Sequence, residues 1–126
     1  MERVHVLFSD EVVHLDVVRI EELERLLGEK DAENVIVKAM EEVATRLTLS
    51  ERAYYKQDWN ALGKTVKSMS AIGEQIGMSS LARASKNLLE ALSGGNDAAI
   101  AATFFRLQRV GDRSLSDYWD IQDVSG

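Results

Sequence analysis

The chain contains no proline and no cysteine. Without proline, no residue fixes φ or removes a backbone donor inside a helix, so long uninterrupted helices are permitted. Without cysteine, a disulfide scaffold, a thiolate metal site and a thiol nucleophile are excluded. That absence suits a reducing compartment. Histidine occurs only as His5 and His14, and the spacing of this pair is not a metal signature. Basic residues are outnumbered, 15 to 21, for a net charge of -6. That balance argues against nucleic-acid backbones and anionic membrane surfaces, both of which require a basic face. No apolar run approaches the roughly 18 residues of a spanning helix. No basic segment followed by an apolar stretch and a small-residue cleavage site opens the chain. A cytoplasmic protein with no membrane and no nucleic-acid partner is the expectation.

What is present points to helix. Hydrophobic residues make up 45% of 126, enough for one domain around one core. Alanine, leucine, glutamate, lysine and arginine are abundant, and all favour helix over strand. Residues 1–15 are the exception: Val4, Val6 and Phe8 alternate with His5 and Leu7, and Val12-Val13-His14-Leu15 follows Ser9-Asp10-Glu11. This pattern fits a short hairpin or an extended arm packed on the helices.

Residues 16–111 carry the helical periodicity. Asp16 is placed to cap a short helix over Val17 to Leu27, with Ile20, Leu23, Leu26 and Leu27 as its apolar stripe and Gly28 as its stop. Asp31 is placed to cap a longer helix to about Lys56, its stripe Val35 or Ile36, Ala39, Met40, Val43, Leu47 and Tyr54. Asp58 caps a third, with Leu62, Val66, Met69, Ile72 or Gly73, and Ile76 inward, ending at Gly77. Ser79 or Ser80 starts a fourth, with Leu81, Ala84, Ser85, Leu88, Ala91 and Leu92 at helical spacing. Ser93-Gly94-Gly95-Asn96 is a loop. Asn96 or Asp97 caps the last helix, which places Ile100, Phe104, Leu107 and Val110 inward and has Gly111 as a break or end. In the tail, 112–126, Tyr118, Trp119 and Ile121 offer a packing surface, and the last residues are expected to fray. Tyr54-Tyr55 and Trp59 flank a helix break and read as core and cap packing, with one of them available to a docking surface. The expected class is all-α: an antiparallel four-helix bundle with a short extra N-terminal helix and an extended or hairpin arm.

On the third helix, Lys67-Ser68-Met69-Ser70-Ala71-Ile72-Gly73-Glu74-Gln75-Ile76-Gly77 is the informative run. With its surroundings from Leu62 to Leu92 it resembles the histidine phosphotransfer (HPt) domain of two-component phosphorelays. That family carries phosphate on an exposed histidine, in a run reading roughly H-x-L-K-G-x-x-x-x-hydrophobic-G. The wider resemblance covers Leu15 to Val110 and includes Asp58 before Leu62, Ile76-Gly77, Leu88-Leu89-Glu90 and Gly95-Asn96. Lys67 stands at the phosphoacceptor-equivalent position, Ser70 at the family's lysine and Ala71 at its glycine. A lysine ammonium is protonated at neutral pH and has no lone pair with which to attack phosphorus.

The resemblance therefore implies a signalling module that docks on a response-regulator receiver domain, or on a sensor kinase, without relaying phosphate. Lys67, Ser70, Ala71, Glu74, Gln75 and Met78 are the docking candidates it implies. No cofactor, no metal and no enzyme chemistry are expected: no nucleophile stands beside a base, and Gly73 to Gly77 lacks the strand and helix that a phosphate loop needs. The alternative is an adaptor or structural bundle that acts by dimerisation or helix–helix binding. Exposed apolar residues around Lys67 would favour docking. A patch on the first helix, the arm or the Trp119 tail would favour assembly.

Overall fold

The computed structural model describes the backbone of residues 3–8 and 11–125 and the side chains of 14–119. The expectations for His5, the alternating valines before His14 and Ile121 fall outside the described side chains. Two strands, β1 (Arg3–Phe8) and β2 (Glu11–Asp16), are followed by α1 (Val17–Leu27), α2 (Glu29–Tyr55), α3 (Trp59–Gln75), α4 (Ser79–Gly94) and α5 (Asp97–Ser125). The strands pair antiparallel, from Arg3 opposite Asp16 to Phe8 opposite Glu11. The fold is all-α in its mass, and α2 to α5 form a closed circuit: each packs on the next, and α5 returns to α2. β2 lies across α4 and α5. Among the described residues no helix is long and apolar enough to cross a membrane.

Local chemistry explains where the helices start. Three side-chain oxygens take an orphan N–H at a first turn: Asp16 from Arg19 at 3.2 Å, Asp58 from Ala61 at 3.1 Å and Asn96 from Ala99 at 3.0 Å. Asp31 does not cap α2. Gly28 joins the two helices directly: its N–H closes α1 on Glu24 O at 2.9 Å and its carbonyl opens α2 by accepting from Ala32 N at 3.0 Å. Asp31 is left in the first turn, where its charge still suits the helix dipole.

The core follows the apolar spacing. Ile36, Met40, Val43 and Leu47 of α2 meet Leu62, Val66 and Met69 of α3, Leu81 and Leu88 of α4, and Ile100, Phe104, Leu107 and Val110 of α5. Each fully buried side chain of this kind stabilises by about 1.5–3 kcal/mol relative to exposure. The stripe expected on α1 is narrower than its sequence implied: only Leu23 is buried, and Leu26 is 76% exposed. A helix of eleven residues that packs chiefly on α2 buries one line of side chains, not a broad face.

Gly111 neither breaks nor ends the last helix, because α5 runs through it to Ser125. It is instead the point of closest approach to α2, where a Cβ would stand 2.6 Å from Leu47 Cδ2. The extension carries Tyr118 back into the core, where it is fully buried and its hydroxyl donates to Ile76 O at 3.0 Å. Burial, with the Glu24 carboxylate nearby, pushes the Tyr118 phenol well above its ordinary value. A phenol whose folded pKa is raised contributes stability that is complete below the unfolded value, about 10, and is lost as pH rises beyond it. Tyr118→Phe is therefore expected to cost about 1–2 kcal/mol at pH 8, from the lost hydrogen bond. The gap between wild type and variant should then narrow steadily above pH 10. Urea midpoints of both proteins from pH 8 to 11 test this, and a constant gap would refute it.

The α3–α4 turn is where distant segments meet. Helix α3 stops at Gln75, two residues earlier than expected, and Gly77 takes φ +81°. Asp16 N donates to Gly77 O at 2.7 Å, and Leu15 bridges to Met78. Ser80 Oγ accepts from His14 N at 2.8 Å, and Ser79 Oγ donates to His14 O at 3.3 Å. Arg19 Nε adds a bond to Gln75 O at 2.8 Å.

Candidate docking surface

Helix α3 presents one polar face to solvent. Its core line is Leu62, Val66, Met69 and Gly73, set by the 3.6-residue repeat. The opposite side exposes Lys64, Lys67, Ala71, Glu74 and Gln75. From Lys64 to Gln75 the helix rises about 16 Å. Lys67 sits near the middle, with no ion-pair or hydrogen-bond partner among the described residues, and Ala71 one turn on keeps the surface beside it low.

Two of the candidate residues do not belong to this face. Ser70 is only 6% exposed and Met78 is fully buried. Ser70 stands one turn before Gly73, in the seam with α4. The helices approach so closely there that a Cβ on Gly73 would lie 3.2 Å from Met78 O and 3.4 Å from Ala82 N. Spacing alone placed Ser70 on the Lys67 side. The small pair Gly73 and Ala82 was the available sign of a tight seam. Met78 is drawn under β2 by its bridge to Leu15, a pairing 63 residues apart in sequence that no local pattern encodes.

Two residues that the sequence reading left out do border the face. Lys64 lies one turn before Lys67 and extends its positive charge. Lys86, from α4, pairs with Glu74 at 3.2 Å across the seam. Both ends of that pair are more than half exposed, so it contributes little to stability. The far side of α3 is tied to α2 by Arg46 Nε donating to Ser68 Oγ at 2.8 Å. Trp59, at the start of α3, is partly exposed and stands edge-on to Tyr54, 6.0 Å between ring centroids.

The face carries a cation on a surface of small and polar residues. His14 lies at the end of β2 against Ser79 and Ser80, not on α3. Ser68 has Arg46 as its partner, not a base. Among the described residues no group of three or more histidine, aspartate or glutamate side chains could hold a metal ion. No protein-family model, curated protein or solved structure matches this chain.

Proposed function

We propose that this chain is a phosphotransfer-type antiparallel four-helix bundle that docks on a receiver domain through α3 and carries no phosphate there. The observation behind this reading is Lys67. It is exposed and unpaired at the position where the resembling family keeps its histidine, with Ala71 leaving room beside it. A receiver's phosphorylation pocket is a cluster of carboxylates. An ammonium directed into that cluster gains a charge-assisted hydrogen bond of about 1.5–3 kcal/mol once shielded from water. Lys64 adds longer-range attraction, and Glu74 and Gln75 form the rim. Such a module blocks phosphoryl traffic or holds a receiver in one state.

The second reading, an adaptor that assembles through apolar helix surface, also has an observation in its favour. Most of the exposed large hydrophobics lie off α3, Trp59 at its start being the exception. Val18, Leu26 and Leu27 cluster on α1, with Val35 on the adjoining part of α2, and Trp119 is exposed on α5. Docking at Lys67 is therefore electrostatic in character, whereas apolar association falls to α1 or to the exposed rings of Tyr55, Trp59 and Phe105 grouped around Tyr54.

One titration separates the two. The protein is titrated against the receiver domains encoded in its own genome, as wild type, Lys67→Glu and Leu26→Glu. Receiver docking predicts saturable binding to one receiver, weakened about tenfold or more by Lys67→Glu and untouched by Leu26→Glu. Unchanged affinity in Lys67→Glu refutes the α3 assignment. Loss in Leu26→Glu alone transfers the function to α1.

A further inference from the structure

A cleft on the other side of α4 has a chemistry that the docking face does not use. It lies between α4, α5 and the end of β2, encloses about 430 Å³, and is lined by His14, Ser79, Ser80, Arg83, Asn87 and Arg106 with Ala84 at its floor. No carboxylate lines it. In a chain with 21 acidic residues to 15 basic, two arginines from different helices face one cleft, and neither has an ion-pair partner among the described residues. Asn87 offers amide donors between them. The Ser80 hydroxyl already accepts the His14 N–H at 2.8 Å, which leaves its own O–H to donate. Guanidinium forks, an amide and a hydroxyl are the donors that tetrahedral oxyanions require.

The cleft continues along the α4–α5 seam. Asn87, Arg106 and Ala84 are shared with a groove of about 490 Å³ lined further by Ala91, Ala99, Ala102 and Thr103, with Glu90 on its α4 wall. The Thr103 hydroxyl is turned back to its own helix, donating to Ala99 O at 2.7 Å. The groove floor is therefore mostly methyl groups, and no phenylalanine, tyrosine or tryptophan ring lines cleft or groove to stack a base. Glu90 repels a second negative group at that end.

We propose that this cleft binds a small phosphate monoester, its phosphate between Arg83 and Arg106 and its uncharged organic part along the alanine-lined groove. The site stands on α4 and α5 and does not depend on the receiver reading of α3. Both arginines are exposed, so binding is weak, in the millimolar range, and falls with added salt.

The test is a titration of ¹⁵N-labelled protein followed by NMR, at constant ionic strength, with glycerol 1-phosphate, inorganic phosphate and malonate as separate probes. Glycerol 1-phosphate should give saturable shifts at Ser80, Arg83, Asn87 and Arg106, several-fold tighter than inorganic phosphate. Arg83→Gln and Arg106→Gln, both surface changes, should each weaken it about tenfold. Absence of saturation with glycerol 1-phosphate, or unaltered affinity in Arg106→Gln, overturns the site. Equal affinity for malonate or for inorganic phosphate overturns the assignment to a phosphate monoester.

Discussion

Phe104→Ala is expected to remove about 3–5 kcal/mol of stability, the cost of emptying a buried aromatic position. The side chain is 1% exposed in the middle of α5, at the spacing that also buries Ile100 and Leu107. It lies flat on Tyr54 of α2, with ring centroids 4.0 Å apart and planes within 3°. Phe105 and Tyr55 stand edge-on to it at 5.0 and 6.2 Å. Such ring pairs add about 0.5–1.5 kcal/mol beyond burial. Truncation therefore takes away buried area and leaves Tyr54 without the surface on which it rests. α2 and α5 also meet at the Leu47–Gly111 contact and through Gln108 Nε2 donating to Leu47 O at 3.2 Å, and neither can replace the lost stack. The midpoint of thermal unfolding should fall by roughly 10–20 °C. Phe104→Leu, which stays apolar and keeps more of the volume than alanine does, should cost less than half as much. Urea denaturation followed by circular dichroism gives both numbers. A loss below about 1 kcal/mol in Phe104→Ala would mean that the stack is not part of the cooperative core.

Gly77→Ala is expected to cost about 2–4 kcal/mol although it adds a single methyl group. Two effects combine. The φ of +81° lies in the left-handed region, where any residue with a Cβ costs about 1–2 kcal/mol. The new Cβ would also stand 2.8 Å from Asp16 O, a backbone atom. A flexible side chain could swing aside, but Asp16 cannot. Its N–H is bonded to Gly77 O at 2.7 Å and its carboxylate caps α1. Relief has to come from moving β2 and α1 away from the turn, which loosens the Leu15 and His14 contacts as well. Gly94→Ala is the matched control. It lies at the end of α4 with nothing within 4 Å of a new Cβ, and it should be neutral or slightly stabilising. Equal midpoints for the two variants would show that the junction tolerates the methyl group.

The comparison of these glycines also marks how far the sequence could be read. Caps were legible because they are local: Asp16, Asp58 and Asn96 each act on an N–H three residues away. Gly28 as the stop of α1 was legible for the same reason. Gly111 and Gly77 looked like further punctuation, yet each answers to a neighbour distant in sequence: Leu47 and Asp16. A glycine inside a helical pattern reads as a break until the partner that needs the space is known. The docking candidates divided along the same line. Lys67, Ala71, Glu74 and Gln75 follow from helical phase alone. Ser70 and Met78 were misplaced because a seam and a strand, not phase, decide their burial. Lys86 and the Arg83–Arg106 pair were out of reach, since they join helices that only the fold brings together.

The meeting of β2, α1 and α5 on the α3–α4 turn also sets an order of assembly. Helices α2, α3 and α4 adjoin through loops of three residues, so their mutual contacts close short spans of chain and form first. The bonds at the turn join residues 42 to 66 positions apart. Each needs a long loop to be closed before it returns any energy. The junction is thus expected to be the last part of the molecule to zip shut, which the folding and unfolding rates of Gly77→Ala would show. Damage to it speeds unfolding while leaving the rate of refolding nearly unchanged. A chain built this way closes its two most distant segments on a single turn of an already local helical scaffold.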